Sequence, residues 1–319
     1  MDTLSKVLDL LHFSGSFYYA TNFHPPWSIE VPAFSNVARF HYVARGSCWA
    51  RIGECEPQLL QAGDIIIIPH GARQILSDTP ERPPIPLEKA YDIADYNGSG
   101  LFEFGENPSL NNTRLVCGHF EFEESFRHPL IDNLPRFILR NENNGPEFSW
   151  LKDSLRFMSH TAVESREGGS AIIKRLSEVI FIQAIRHWQS DQSGRHGFLA
   201  ALDDPNISKC LRSFHDGIAE QWSIDSMARE SGLSRTLFYN RFKQYLDMTP
   251  MQYVTSWRMQ NARQMLITEG LSIDRAAQRV GYDSTAAFSK VYKRTMGFSP
   301  GEHRRIAAAQ APVKARGLG

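Results

Sequence analysis

Short apolar runs separated by turn residues make up the chain from Ser14 to about Leu139, which is typical of a strand-rich domain. The predicted strands cover 39–44, 48–52, 58–60, 65–68, 101–104 and 114–122. The segment 79–86, which holds four prolines, and the turn-rich segment 95–100 are predicted loops. Many short, mostly antiparallel strands at close spacing predict a sandwich or a barrel.

The hydrophobic period becomes helical after residues 141–146. Apolar positions predict two antiparallel helices broken at Gly168 and Gly169, the second running from Ser170 to Trp188. From residue 197 to about 309 the pattern is helical throughout, with Ser, Asp and Pro at predicted helix starts and Gly at stops. Residues 1–11 predict a short amphipathic helix and not an export signal.

The helical part contains an internal repeat. Ala228 matches Ala277 and Gly232 matches Gly281 at a separation of 49 residues. After a one-residue insertion, the separation is 50 for the pairs Ser234/Ser284, Phe238/Phe288, Phe242/Tyr292, Lys243/Lys293 and Pro250/Pro300. The repeat indicates one duplicated structural unit.

Each repeat has the spacing of a helix-turn-helix, at about 222–246 and 271–296. A small residue allows a second helix to cross closely, Gly permits the turn, and Ser caps a longer second helix that would lie in a major groove. The aromatic pairs are expected to anchor that helix. Its outward stripe is polar or basic in both copies: Thr236, Tyr239, Asn240 and Lys243, then Ala286, Ser289, Lys290 and Lys293.

A helical bundle with polar exposed faces is the alternative interpretation, and two copies with matching positions make it the weaker one. Residues 250–267 between the copies lack internal Gly or Pro and predict a rigid spacer helix about 27 Å long at 1.5 Å per residue. That length is close to the roughly 34 Å between successive major grooves on one face of DNA.

Charge is divided unequally along the chain, although the formal net charge is zero. Residues 1–196 hold 18 Lys and Arg against 24 Asp and Glu, whereas residues 197–319 hold 17 against 11. The second half, at net +6, is therefore the candidate partner for a polyanion.

Composition restricts the remaining classes. The chain has 319 residues, 42% of them hydrophobic, which favours two soluble globular domains. Its longest aliphatic run, Ile65–Ile68, is far shorter than the roughly 20 residues that span a bilayer. Four scattered cysteines without a C-x-x-C motif indicate neither a disulfide framework nor a zinc site, and they suit the reducing cytoplasm.

The second repeat resembles the AraC/XylS family of bacterial transcription regulators. The match lies in Gly281-Tyr282-Asp283-Ser284, Phe288, Lys290, Tyr292-Lys293, Gly297 and Ser299-Pro300, with Arg258-Met259, Ala262 and Leu266 similar to the family's linker helix. The resemblance covers about residues 205–306 and implies double-stranded DNA and RNA polymerase as partners. It implies base contacts at Thr236, Tyr239, Asn240, Thr285, Ala286 and Lys290, and adds Ser234, Arg235 and Ser284 to the expected interface. The residues at 239, 240, 286 and 287 depart from the family's common choices, so the operator sequence cannot be transferred.

The first half resembles the cupin-type sensor of one branch of that family, through short motifs such as Pro26-Trp27, His41-Tyr42-Val43 and Ala62-Gly63-Asp64. Such domains are implied to be small β-barrels that bind an effector or dimerise. The candidate effector contacts are Trp27, His41, Trp49, His70, Arg73 and Gln74. Trp49 alternates with Cys48 and Ala50, and the sequence leaves open which face looks inward.

A metal-dependent cupin enzyme is a rival interpretation, since cupins often bind a metal through three His and one Glu. Here Val43 and Gln74 stand at two of the usual ligand positions, so we expect no metal, no cofactor and no enzyme.

Redox sensing through Cys48, Cys55 or Cys117 is a third possibility. With Gly53-Glu54 as the hairpin turn, Cys48 would face Leu59 and lie about 13 Å from Cys55. That distance exceeds the limit of about 7 Å between Cα atoms for a disulfide.

We therefore predict an effector-controlled, sequence-specific DNA-binding regulator of the α+β class with two domains. A cupin-like antiparallel β-barrel (1–145) is followed by a helical connector (146–196), a tandem helix-turn-helix domain (197–308) and a flexible tail (309–319). The helix from Ser170 to Trp188 has more apolar residues than one partner helix needs, which predicts a homodimer. Packing of that surplus within the same chain is the alternative.

Overall fold

The computed structural model describes residues 2–11, 14–98, 100–107, 112–122, 128–140, 153–157, 161, 167–190 and 196–310. The predicted boundary at 141–146, most of the first connector helix and residues 311–319 of the predicted tail lie outside this part of the chain. Residues 309 and 310, also predicted as tail, belong to the last helix.

The chain divides into two contact units, neither of them continuous in sequence. The barrel unit comprises Phe13–Glu124 and Leu134–Ser193, and the helical unit comprises Met1–His12, Ser125–Asn133 and Gly194–Gly319. The predicted domains are continuous ranges, and their limits stay a prediction. The α+β class with a strand-rich first part and a helical second part is confirmed.

Two mixed sheets form the barrel unit. Its strands are β1 Ser14–His24, β2 Ser28–Val31, β3 Val37–Arg45, β4 Ser47–Ile52, β5 Gln58–Gln61, β6 Ile65–Ile68, β7 Gln74–Ser77, β8 Ile85–Pro86, β9 Leu101–Gly105, β10 Arg114–Glu121 and β11 Ile138–Arg140. The strand order is β11-β6-β3-β10-β1-β9 in one sheet and β5-β4-β7-β2-β8 in the other. The pairs β1/β9 and β2/β8 are parallel and the other pairs antiparallel.

The core of the barrel unit lies between the sheets, because alternate side chains of a strand point to opposite faces. Val43 and Cys117 of the first sheet pack there with Ile52 and Leu76 of the second. On the other face of the first sheet, the ring of Phe120 contacts Phe181 of the helix Gly169–Ser190 at 4.6 Å between centroids. That helix is α4, and this unit also contains α2, Leu87–Ile93.

The hairpin of β4 and β5 corrects one predicted register. Cys48 pairs with Leu60 and not with Leu59. Residues 53–57 connect the two strands, so the connection is longer than the two-residue turn that the prediction assumed.

The helical unit contains α1 Thr3–Leu11, α3 Pro129–Asp132, α5 Phe198–Asp203, α6 Pro205–Asp216, α7 Ile224–Ser231, α8 Arg235–Leu246, α9 Pro250–Ile267, α10 Ile273–Arg279, α11 Thr285–Met296 and α12 Pro300–Gln310. The predicted spacer coincides with α9, which begins at the Thr249 cap. Within the described residues, we find no helix with the length and apolar character needed to cross a membrane.

Candidate nucleic-acid interface and effector site

The two predicted helix-turn-helix units are built alike. In the first, the Ser223 side chain accepts a hydrogen bond from the backbone of Ser226 at the start of α7, and Gly232 ends that helix in the left-handed conformation. In the second, the Ser272 side chain caps α10, and Gly281 has a φ of 80°. Ala228 and Ala277 are buried between the helices of each unit, where a larger side chain would separate them.

The second helix of each unit is held by aromatic side chains, as predicted. Phe238 and Phe242 of α8 are fully buried, and so are Phe288 and Tyr292 of α11. Burial of one such side chain contributes roughly 1.5–3 kcal/mol. Each helix is therefore fixed by one face and leaves the opposite face in solvent.

The solvent face of α8 carries most of the predicted DNA-contacting side chains. Thr236, Asn240 and Lys243 are exposed, and Tyr239 is half-buried beside them. Ser234 has a structural role as well, since its hydroxyl accepts a hydrogen bond from Leu237 N at 3.4 Å.

The solvent face of α11 repeats this arrangement. Ala286, Lys290 and Lys293 are exposed and Ser289 is half-buried. The Ser284 hydroxyl accepts from Ala287 N at 3.3 Å, which makes it the cap of α11.

The first residues of α8 and α11 each contact an acidic side chain of the preceding helix. Arg235 Nη1 lies 3.3 Å from Asp225 Oδ2, and Thr285 Oγ1 donates to Asp274 Oδ1 at 2.6 Å. The acidic residues occupy equivalent positions in the two repeats. Arg235 and Thr285 are therefore oriented by carboxylates in the absence of DNA.

Two further residues that were not predicted lie on the exposed face of α8. Leu237 is 51% exposed, and Gln244, about two turns farther along α8 than Leu237, is also exposed. Both flank Asn240 on a helix of 3.6 residues per turn. An angular plot centred opposite Phe238 and Phe242 would have found them.

Tyr253, near the start of the spacer helix α9, forms a buried cluster with two histidines from other segments. Tyr253 Oη lies 3.2 Å from His128 Nε2 and 2.8 Å from His215 Nε2. Burial, followed in size by the charge of Lys6, lowers the pKa of His215 to about 3, while Asp216 opposes that fall. Burial also places the pKa of His128 well below its usual value. The sequence gives no sign of this cluster.

Three polar side chains from the predicted effector set lie in the interior of the barrel unit. His41, Trp27 and Gln74 are each at most 5% exposed. Among the described residues, Trp27 Nε1 has no hydrogen-bond partner. His41 Nε2 and both amide atoms of Gln74 have none with full hydrogen-bond geometry, although Gln74 lies close enough to His41 to act on its pKa. His41 Nδ1 lies 3.1 Å from Cys117 Sγ.

His41 is neutral in this environment. Burial is the main cause that lowers its pKa to about 3, the charge of Arg39 acts in the same direction, and Gln74 opposes the fall. An uncharged imidazole close to the Gln74 amide can exchange hydrogen bonds with an uncharged polar molecule.

The other three predicted effector contacts lie elsewhere. Cys48 and Ala50 belong to the barrel core, so Trp49 between them points to the opposite face of β4. His70 is exposed, with Nε2 at 2.9 Å from the carbonyl oxygen of Leu134. Arg73 is exposed and forms a two-bond ion pair with Glu30 at 2.7 and 2.6 Å. The interior site therefore does not include them.

The buried thiols are protonated. Burial raises the pKa of Cys48 to about 12 and raises that of Cys117 further. Thiolates are the reactive form of cysteine, so these environments do not favour redox chemistry. The part of the chain that the structure describes contains no cluster of three or more His, Cys, Asp or Glu side chains arranged for a metal ion.

Comparison with known families gives two matches. The family described as Cupin matches residues 2–190, and the family described as Helix-turn-helix domain matches residues 227–306.

Relatives match over nearly the whole chain. The HTH-type transcriptional regulator AlkR of Acinetobacter baylyi is 27% identical over 309 residues, which is 96% of this chain and 99% of the relative. The RCS-specific HTH-type transcriptional activator RclR of Escherichia coli is 24% identical over 313 residues, with 98% of this chain and 100% of the relative covered. The DNA-binding domain of AdpA, solved with a target DNA, is 27% identical over 34% of this chain and 98% of its own, with a TM-score of 0.33.

Proposed function

We propose a mechanism for this chain from the premise that it belongs to the AraC/XylS family of DNA-binding transcription regulators and, through residues 2–190, to the cupin family. One chain places α8 and α11 in adjacent major grooves of one DNA duplex, with α9 as the spacer. A small uncharged polar effector binds in the barrel interior. The relatives are named as transcription regulators, and we assign no catalytic role to the barrel.

The exposed polar face on the second helix of two equally built units is the observation that carries this proposal. We assign base-edge contacts to Thr236, Tyr239, Asn240, Thr285, Ala286, Ser289 and Lys290. Lys243, Lys293 and Arg235 are assigned to phosphates. Ser234 and Ser284 cap the helix N-termini that would face the DNA backbone.

Selection of duplexes from a random pool by the full chain tests this proposal. The recovered motif is expected to have two parts with centres about 10 base pairs apart. Asn240→Ala should relax one part and Lys290→Ala the other. A motif with one part per chain, changed in the same positions by both variants, would contradict the proposal.

Support for the effector comes from buried polar atoms of Trp27, His41 and Gln74 that lack a hydrogen bond of full geometry, because buried polar groups are nearly always hydrogen-bonded. The neutrality of His41 favours a ligand without charge. Gln74→Leu removes both polar atoms of the side-chain amide at similar volume. A compound that raises the melting temperature of the full chain is expected to lose that effect in the variant.

Support for a homodimer comes from α4. Ile172 and Val179 are 43% and 39% exposed on this helix, and half-buried Leu176 lies between them. This 4-3 spacing is typical of a helix that pairs with a second helix. The opposite side of α4 packs on the barrel through Phe181. Packing within the same chain therefore accounts for the apolar residues on that side, but not for the stripe of Ile172, Leu176 and Val179.

RNA polymerase is the partner we propose for the DNA-bound form, since the family resemblance implies it. Access to chromosomal DNA places the proposed action in the cytoplasm.

A further inference from the structure

The turn of the second helix-turn-helix unit lies against the loop that leads into the first. A Cβ atom added at Gly281 would be 2.4 Å from the carbonyl oxygen of Ala219 and 2.8 Å from Arg258 Nη2. Such a distance to a backbone oxygen cannot be accommodated without movement. Residues 217–222 and the turn at Gly281 are therefore in direct backbone contact, in addition to their connection through α9.

Arg258 of the spacer helix joins the same two segments. Its side chain donates from Nε to the carbonyl oxygen of Ile218 at 2.9 Å and from Nη2 to that of Glu220 at 2.5 Å. Its guanidinium carbon lies 5.8 Å from the ring centroid of Tyr282. The residue is 9% exposed, and burial lowers its pKa while Tyr282 opposes that change. Two hydrogen bonds to carbonyl oxygens offset the cost of burying the charge.

The loop 217–222 is itself fixed to the first unit. Trp222 Nε1 donates to the carbonyl oxygen of Gly217 at 2.8 Å, and the Trp222 ring contacts Phe214 of α6 edge-on. The next residue, Ser223, caps α7. A contact on this loop therefore restrains the position of the first helix-turn-helix unit.

The repeat provides an internal comparison. Gly232 occupies the position of Gly281 in the first unit and has a similar φ of 69° against 80°. The nearest atom to a Cβ added at Gly232 is Asn206 Nδ2 at 3.9 Å, which is an ordinary contact. Both turns need a left-handed residue, and only the second also needs the absence of a side chain.

We propose that Arg258 and Gly281 are positioning residues that fix the rotation between α8 and α11, and thereby the operator spacing that the chain accepts. A helix between two units sets their distance, whereas a second point of attachment is needed to prevent rotation about its ends. The contact of Gly281 with Ala219 and the Arg258 hydrogen bonds provide that second point. The inference rests on the proposed binding of two grooves by one chain.

The experiment measures affinity across a series of spacings. The probe is a duplex selected by the wild-type full chain, in versions with one or two base pairs inserted or removed between its two protected patches. Each base pair rotates one half-site by about 35° relative to the other. The wild-type chain is expected to lose affinity steeply on either side of the selected spacing.

Arg258→Lys keeps the charge but loses the planar pair of donors. Its affinity for the selected spacing is expected to fall about tenfold, as for the loss of hydrogen bonds to a charged group. When one base pair is inserted or removed, the further loss of affinity should be clearly smaller for Arg258→Lys than for the wild type. Gly281→Ala should show the same flattened profile.

Gly232→Ala is the matched control. It introduces the same left-handed strain without the contact to Ala219, so it should lower the melting temperature and keep the wild-type spacing profile. Arg212→Gln removes the charge of an exposed residue of α6 and should also keep that profile.

A uniform loss of affinity at every spacing in Arg258→Lys would overturn the inference, because loss of folded protein acts equally on all duplexes. An unchanged profile would overturn it as well. Arg258→Lys decides the question even where Gly281→Ala does not fold. A single protected patch for the wild-type chain would instead overturn the two-groove proposal on which the inference rests.

Discussion

The hydroxyl of Tyr253 on the spacer helix is hydrogen-bonded to Nε2 of His215 at 2.8 Å, within the helical unit. The direction of this bond follows from its neighbours. Leu130 N donates to His128 Nδ1 at 3.0 Å, so neutral His128 carries its proton on Nε2 and donates to Tyr253. Tyr253 then donates to His215, so Nε2 of His215 carries no proton and accepts.

Burial of the two histidines makes the stability of the helical unit depend on pH. The pKa values of His128 and His215 lie below the ordinary value of about 6.5 in the folded state. The stabilisation is therefore complete above pH 6.5 and is lost as pH falls from there toward the folded pKa of about 3. Each histidine should contribute a slope of about 1.4 kcal/mol per pH unit below 6.5.

Urea unfolding of the full chain at pH 7.5, 6.5 and 5.5 measures this slope. His215→Gln should reduce the slope, although it also lowers stability at pH 7.5. Gln244→Ala, at an exposed residue of the helical unit without an ionisable side chain, serves as the control and should leave the slope unchanged. Equal slopes in His215→Gln and the wild type would contradict the assignment.

Removal of one aromatic anchor should destabilise the unit that contains it. Phe238 and Phe288 are both fully buried at equivalent positions of the repeat. Phe238→Ala and Phe288→Ala should each reduce the free energy of unfolding by about 3–5 kcal/mol, as for other buried aromatics. The loss is measured by urea denaturation, and a change below about 1 kcal/mol in either variant would show that the helix is not held by this residue.

The exposed stripe of α4 should determine the oligomeric state. Val179→Glu places a charge in the proposed helix pair, where it would be desolvated, and should convert a dimer to a monomer. Sedimentation equilibrium at micromolar concentration measures the mass. Ile93→Glu is the control, because Ile93 is the more exposed residue at 61% and lies on α2. A dimer that survives Val179→Glu, or a monomeric wild type, argues for packing within one chain only.

Salt dependence should separate the lysines from Asn240. Each phosphate contact that Lys243 or Lys293 makes contributes about −0.9 to the slope of log affinity against log salt concentration. Lys293→Ala should reduce that slope by about one for every duplex tested. Asn240→Ala should leave the slope unchanged and lower discrimination at particular base pairs by about 1–3 kcal/mol. Uniform weakening by Asn240→Ala on all sequences would assign Asn240 to the backbone.

Local sequence signals predict the helical unit well because its elements are defined by nearby residues. The cap at Thr249 and the apolar period of 250–267 delimit α9. The repeat gives each helix-turn-helix position an equivalent residue in the other unit, so each prediction is made twice. The strands Ser28–Val31 and Gln74–Ser77 have no comparable signal. They are four residues long and are stabilised by pairing with each other and with distant strands.

The site residues that sequence reasoning missed depend on contacts between distant segments. The orientation of Trp49 is set by the core packing of Cys48 and Ala50, which alternation alone leaves open. His128 and Tyr253 are 125 residues apart, and no periodicity relates them. The proximity of Gly281 to Ala219 is likewise invisible in the repeat, since Gly232 has the same local pattern without the contact.

Hydroxyl-radical footprinting with variants of each unit tests the central claim most directly. The wild-type chain should protect two patches about one helical turn apart on one face of the duplex. Asn240→Ala should weaken protection of one patch, and the Lys290→Ala, Lys293→Ala double variant should weaken the other. Two chains that each used only their first unit would also give two patches, but Asn240→Ala would then weaken both equally and the double variant neither. That result, or a single patch, would contradict the claim that one chain reads two adjacent grooves.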